Sequence, residues 1–380
     1  MLNILISFIL VAFLFVALYV YKKNMHIWLY DYVVSNLKIL FTKPSTSTET
    51  KDILFLFVDH YELAGKKDRL HAWLNDYPKM ASKFRDSDGV KPQHTWFYAL
   101  DLTNEDELKA IKPLVDDGFG EVELHWHHSH KSSQQFETDL RNGLEVFHKH
   151  GYMKPYKNDT HSSFSFIHGN WSLNNSRGEE FCGVNNEIEI LKKYGCYADF
   201  TFPAMFSPAQ PKYVNKITYT NTAPIKKSYN NARIAEVGKY QSDDEFMIMQ
   251  GPLAINFKDW RHKWHPTIEN GDINSDFTQN SSKRIDCWVR QNIHVKNNPD
   301  WIFVKIFCHG AQDYKSLCSD STAQMYEYLD EKYNDGSKYR LHYVTARECY
   351  NIVKAAENGK TGNPNEYRDY VIPHPNNRNI

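Results

Sequence analysis

The sequence is short of the features that place a protein quickly. Its six cysteines, spread from Cys182 to Cys349, include no CxxC pair. That excludes zinc-ribbon and thioredoxin-type motifs. It is also not the dense framework of a small secreted domain, so a reducing compartment is favoured. Neither sign of charge is in excess, with 45 Lys and Arg against 46 Asp and Glu. Bulk charge therefore gives no reason to expect nucleic acid or an acidic polymer as a partner. There is no internal repeat and no low-complexity block. With 14% aromatic residues in a chain of 380, a large core can be buried, and disorder is expected only at the ends.

Long hydrophobic runs are missing too, save one. Residues 4–20 are apolar except Ser7 and Tyr19, and at ~1.5 Å per residue they reach about 26 Å, enough to cross a thin bilayer core. A cleaved signal peptide is the alternative. It calls for a positive n-region and a small-x-small cleavage site, neither of which is present, so residues 1–23 read as an uncleaved anchor. Lys22, Lys23, Lys38 and Lys43 follow the span while only the terminal amine precedes it. The positive-inside tendency then gives a single-pass protein of the inner (cytoplasmic) membrane with its body on the cytoplasmic side. Residues 27–41 suit a helix lying on the headgroups or, equally, one packed on the body. Residues 44–50 read as a polar linker, so 24–50 form a juxtamembrane segment.

Beyond the linker, strand-like runs at 53–58, 94–100, 121–126, 164–167, 197–200, 246–250, 301–307 and 340–344 alternate with helical patterns. The helices are expected at 69–84, interrupted at Pro78, and at 105–115, 136–150, 185–194, 283–295, 322–333 and 346–357. Alternation of this kind means parallel pairing with right-handed crossovers, as a barrel or a doubly wound sheet. Functional side chains then gather at the carboxyl ends of the strands. Residues 202–244 lack the rhythm and read as loops.

Four strand ends carry unusual residues. Phe57-Val58-Asp59-His60-Tyr61-Glu62 stops an apolar strand at three potential ligands, although a lone Asp there could simply cap a helix. His125, His127, His128 and His130 crowd six positions, too many for core filling, and neutral imidazole is a common ligand for zinc and its neighbours. His168-Gly169-Asn170-Trp171 offers a donor, an amide and a flat face for a sugar ring, although Trp is equally a core residue. Cys308-His309-Gly310 ends a late strand in a candidate acid catalyst.

The order of these motifs resembles the polysaccharide deacetylase (NodB homology) superfamily. FVDHYE, EVELHWHH, HGNWSLNNS, CGVNNEI, YADFTFP, IENGDI, WVRQNIHV, PDWIFVKIFCHGAQD and YRLHYVTARE are similar to a bacterial membrane-anchored branch associated with surface polysaccharide gene clusters. The resemblance implies a distorted (β/α) barrel of seven to eight strands over residues 51–360, a tail at 361–380, and one divalent metal, zinc by the family's habit. It implies Asp59 as general base and His309 as general acid. Of the ligands, His60 stands where the family has a second Asp, and His125 matches the first histidine. Four positions later is Ser129, so the second histidine is His127, His128 or His130, with His128 favoured. His168, Asn170, Trp171 and Asp199 would contact the carbohydrate, a polysaccharide or a lipid-linked sugar, and the reaction would be hydrolysis of an N-acetyl group. A glycoside hydrolase using Asp59 with Glu62 or Glu269, and a non-catalytic carbohydrate-binding subunit, are the alternatives.

Overall fold

The computed structural model describes residues 2–41, 50–155, 162–257, 266–274 and 281–375. Most of the expected linker and the last residues of the expected tail lie outside them. Helix α1 (Leu2–Lys22) is long and apolar enough to cross a membrane and has no fully buried residue in its span, Val20 near its end packing partly on the body. A left-handed turn at Asn24 and a short 3-10 turn lead into α2 (Leu29–Phe41).

The body alternates strands and helices: β1 (Lys51–Tyr61), α3 (Lys67–Ala81), β2 (His94–Ala99), α4 (Glu105–Asp116), β3 (Gly120–Trp126), α5 (Ser133–Lys149), β4 (Phe164–His168), α6 (Glu187–Lys193) and β5 (Cys196–Asp199). Then come β6 (Ile217–Asn221), β7 (Arg233–Ile234), β8 (Glu245–Met249), the small hairpin β9 (Ala254–Asn256) and β10 (Thr267–Glu269), β11 (Asp272–Ile273) and α7 (Ser281–Arg290). The chain closes with β12 (Trp301–Cys308), α8 (Tyr314–Leu317), α9 (Asp320–Tyr333), β13 (Tyr339–Val344) and α10 (Ala346–Glu357). Helix starts are set by side chains that take up free N–H groups. Asn104 caps α4, and capping boxes at Ser132 with Gln135 and at Thr345 with Glu348 open α5 and α10. Helix α3 runs three residues past Pro78, whose carbonyl still accepts from Ser82 N. Pro78 has no N–H to give to the carbonyl of Leu74, so one intrahelical bond is lost near the end of the helix.

The main sheet has the order β11-β12-β1-β2-β3-β4-β5-β8-β6-β7. Pairing is parallel from β11 to β8 and antiparallel for β6 and β7. Strand β13 lies on the same side of β1 as β2, pairing with Lys51–Leu56 while β2 takes Phe57–Tyr61. The expected barrel is therefore corrected to an open, mostly parallel sheet: no closed barrel forms among the described strands, because the two antiparallel strands cap one edge. These are the strands hidden in residues 202–244, where Thr, Tyr and Asn on a short pairing leave no apolar run to read.

Both faces of the sheet are buried, as parallel sheets require. On β1, Ile53, Phe55, Phe57 and Tyr61 join the core under α3, α4, α5 and α9. Leu54, Leu56 and Val58 join a second core with Phe97, Ile167, Phe307 and the apolar face of α10. Helix α10 also anchors the segment after it. The buried Arg347 guanidinium donates to Glu121 and to the carbonyls of Arg368 and Ile372, so residues 361–375 are docked rather than trailing.

Candidate metal centre

Strand parity decides which side chains meet, because successive residues leave opposite faces. His60 and Glu62 continue the face of Leu54, Leu56 and Val58, and His125 leaves the matching face of β3, opposite Val122, Leu124 and Trp126. There Glu62 Oε1 lies 3.3 Å from His125 Nε2 and 3.3 Å from His127 Nε2. All three ligand atoms fall within 4.8 Å of one another. Each imidazole is oriented by its other nitrogen. His125 Nδ1 lies 3.0 Å from the Ile167 carbonyl, and His127 Nδ1 lies 3.2 Å from both oxygens of Asp101. Gln312 Nε2 donates to Glu62 Oε2 at 2.6 Å. Gly169 is required here, since a Cβ would sit 2.3 Å from the His127 ring.

The protons locate the charge. A carbonyl only accepts, so His125 carries its hydrogen on Nδ1 and turns the Nε2 lone pair toward Glu62. Burial, first, and the neighbouring His127 lower the His125 pKa and favour the neutral ring, against the pull of Glu62. A lone pair facing a carboxylate oxygen is repulsive, and a cation between them turns repulsion into coordination. This is the arrangement of first ligands and outer partners found in histidine–carboxylate metal sites. Burial alone would raise the Glu62 pKa, but the charged His127 ring beside it holds it far below the usual range. In the ion-free molecule His127, raised to about 9 against its burial by Asp101 and Glu62, supplies the positive charge.

His60 is almost wholly buried beside this group. Its ring centre is 4.8 Å from His125, 4.7 Å from His309 and 5.0 Å from the near-parallel Trp171. Burial, then His309 and His125, push its pKa well down, so the ring is neutral. Trp171, Phe307 and His309 face a cleft of about 460 Å³ whose other walls include Arg177, the 203–208 segment, Asn270 and Asp272. Burial raises the Asp272 pKa against the pull of His309.

The remaining expected site residues lie elsewhere. Asp59 leaves the opposite face of β1. Its carboxylate accepts from Gly310 N at 2.6 Å and meets His94 Nε2 at 3.0 Å, and the Gly310 carbonyl is bound by Trp73 Nε1. Asp59 thus fixes the turn that carries His309. His128 is in a second buried group, with Nε2 2.7 Å from Glu187 Oε1, while the alternative His130 is exposed with φ 52°. His168 Nε2 points at the same Glu187 oxygen from 3.5 Å, and its Nδ1 accepts from Asn170 N. Glu187 Oε2 takes Asn174 N, with Cys182 Sγ at 3.7 Å.

By composition His128, His168, Cys182 and Glu187 also suit a metal, but their protons argue otherwise. With Nδ1 accepting, His168 carries its hydrogen on Nε2 and has no lone pair there to give. His128 Nδ1 lacks the outer acceptor that a ligating ring has. The group is a buried carboxylate ringed by donors.

Asn170 gives its amide to the carbonyls of His128 and Phe181, and the fully buried Asp199 is held by Thr201. Of the four expected sugar-contacting residues, only Trp171 lines the cleft. Glu269 is engaged by Arg284, Trp288 and Gly271 N, so it is not a free acid for glycoside hydrolysis.

Reading the strand ends as clusters missed Asp101 and Asp272 and undervalued Glu62 and His127. The period-2 pairs His60/Glu62 and His125/His127 were the signal that could have found the last two. No protein-family model and no curated protein matches the chain.

Proposed function

We propose that this protein is a membrane-anchored, divalent-metal hydrolase that removes an N-acetyl group from a carbohydrate. Glu62, His125 and His127 would hold the ion, α1 would serve as the uncleaved anchor, and the body would lie on the cytoplasmic side. The observation that carries this reading is the convergence of Glu62, His125 and His127, their ligand atoms within 4.8 Å of one another and each imidazole held through its other nitrogen.

A divalent ion in such a site supplies a Lewis acid for the amide carbonyl and brings the pKa of bound water toward ~7. The chain's own groups do the rest. His60, whose ring lies beside those of His125 and His309, would take a proton from the attacking water as the water oxygen bonds to the acetyl carbon. His309, at the cleft wall, is placed to protonate the sugar nitrogen as the C–N bond breaks, releasing acetate and a free amine. Trp171 gives the sugar ring a flat apolar face. Asp59 is a positioning residue, acting on His309 through Gly310. Three protein ligands leave coordination positions open, the pattern of catalytic rather than structural zinc.

The test is elemental analysis of the purified full chain together with acetate release from N-acetylated sugars. About one ion per chain, lost in both Glu62→Gln and His125→Asn, and acetate formed by the parent only, are the expected results. A metal-free, folded parent would sink the proposal. A metal-loaded parent that releases no acetate from any N-acetylated sugar would leave the binding-subunit alternative in its place.

A further inference from the structure

The wall of the cleft and the juxtamembrane segment are one packed unit. Met205 and Phe206 pack on a small core made by Met25, Trp28, Val214 and Leu253, to which Val20 of α1 also contributes. Asn24 Nδ2 donates to the Phe206 carbonyl at 2.8 Å, and the Lys23 ammonium stands 5.0 Å from the centre of the Phe206 ring. Polar contacts lock α2 beside it. Asp31 accepts from Val214 N and from Lys216, and Ile255 N donates to Tyr32. The turn that directly follows α1 therefore touches the segment that lines the cleft, with no free linker between them.

The outer surface of this unit is apolar. Tyr30, Val33 and Leu37, at i, i+3 and i+7 on α2, are 79%, 43% and 45% exposed, and Phe257 beside β9 is 78% exposed. Asp31, Tyr32 and Ser35 turn the other side of α2 to the body. An apolar helix face continuous with a membrane-length helix, with Tyr30 and Lys23 at its edge, has the composition of an interfacial helix. With α1 in a bilayer, a helix–turn–helix of this length would hold the cleft wall within a few residues of the point where α1 leaves the hydrocarbon.

We infer that the cleft takes its substrate from the membrane: an acetamido sugar carried on a lipid, its tail left in the bilayer and its head group drawn between Trp171 and the 203–208 wall. This rests on the metal-hydrolase reading for its chemistry and on α1 remaining attached for its geometry. A freely soluble glycan has no need of a mouth pressed against the headgroups. A lipid-borne one is presented there at high local concentration and meets the cleft by lateral diffusion.

The test has two arms on the full chain reconstituted in phosphatidylcholine vesicles. In the first, a fluorophore is attached at Pro208→Cys, on the cleft wall, or at Lys338→Cys, beside the amino end of β1, and lipids brominated near the headgroup serve as quenchers. Quenching at least five-fold stronger at position 208 is expected, and equal or absent quenching at 208 overturns the inference. The second arm compares acetate release from N-acetylglucosamine linked to a polyprenyl diphosphate with release from soluble chitotetraose. At least ten-fold faster turnover of the lipid-linked sugar is expected. Equal or faster turnover of the soluble sugar overturns the inference while leaving the metal chemistry standing. Turnover of neither strikes the deacetylation reading and, with it, the lipid-linked substrate; position 208 then still reports whether the mouth lies on the bilayer.

Discussion

Asp59 and His125 end strands separated only by β2, yet their side chains leave opposite faces of the sheet. The Asp59 carboxylate is consumed by His94 and Gly310, while the His125 ring turns to Glu62. A base-and-ligand partnership between the two is replaced by two separate placements, one holding a turn and the other facing the Glu62 carboxylate.

These tasks separate on substitution. Asp59→Ala strands a buried imidazole and a buried N–H, and should cost about 3 kcal/mol in urea denaturation. Metal content should stay near one per chain, and activity should fall through His309. Glu62→Gln should lose the metal with a small change in the ion-free protein's stability. Metal lost on changing Asp59 and kept on changing Glu62 would reverse the assignment.

Asp101 holds His127 twice, accepting from its backbone N–H and meeting the outer nitrogen of its ring. Asp101→Asn should weaken metal affinity by about 10- to 100-fold, the usual effect of removing such a partner, without unfolding the chain. Competition with a chromogenic chelator measures it, and unchanged affinity would remove Asp101 from the site.

Gly169→Ala puts a methyl group within 2.3 to 2.7 Å of three His127 ring atoms. The ring must move, so metal affinity should drop at least ten-fold for about 1–3 kcal/mol of lost stability. Calorimetric titration of the ion-free variant with zinc would show the loss, and parent-like binding would mean that His127 is not a ligand.

Away from the site, His342 bridges Asp52 and Asp88 at the amino end of the sheet. Burial lowers its pKa, but the two carboxylates outweigh burial and leave it raised. A group raised on folding stabilises fully below its unfolded value of ~6.5, and loses that contribution as pH climbs through the folded value. His342→Gln should therefore cost about 1 kcal/mol more near pH 5.5 than near pH 9. A cost that is flat or rises with pH would contradict the pairing.

How far the sequence reaches depends on the kind of signal. Helix α10 is found at the expected residues, because the Thr345/Glu348 capping box and the apolar spacing point to the same start. Most of the parallel strands are legible as apolar runs, being buried on both faces, while β6 and β7 are not, being short and polar. The site fails in a different way. All its histidines are visible, but neighbours along a strand diverge in space: His127 turns to Glu62 and His128 to Glu187. Counting histidines identifies the region, and only the alternation of faces assigns them to pockets. Trp171 lines the cleft, whereas Asp199 and His168, also at strand ends, turn into the core.

Strand β1 is bordered by β12 along nearly its whole length and by β13 along its first half. The earliest strand made thus waits for partners synthesised some 250 residues later. Contacts so distant in sequence close slowly, and a nascent chain that already carries its hydrophobic amino terminus must keep the half-built sheet apart from other chains meanwhile. Truncation before residue 300 would leave β1 with a bare edge and remove His309 as well, so partial products should aggregate rather than persist as soluble fragments.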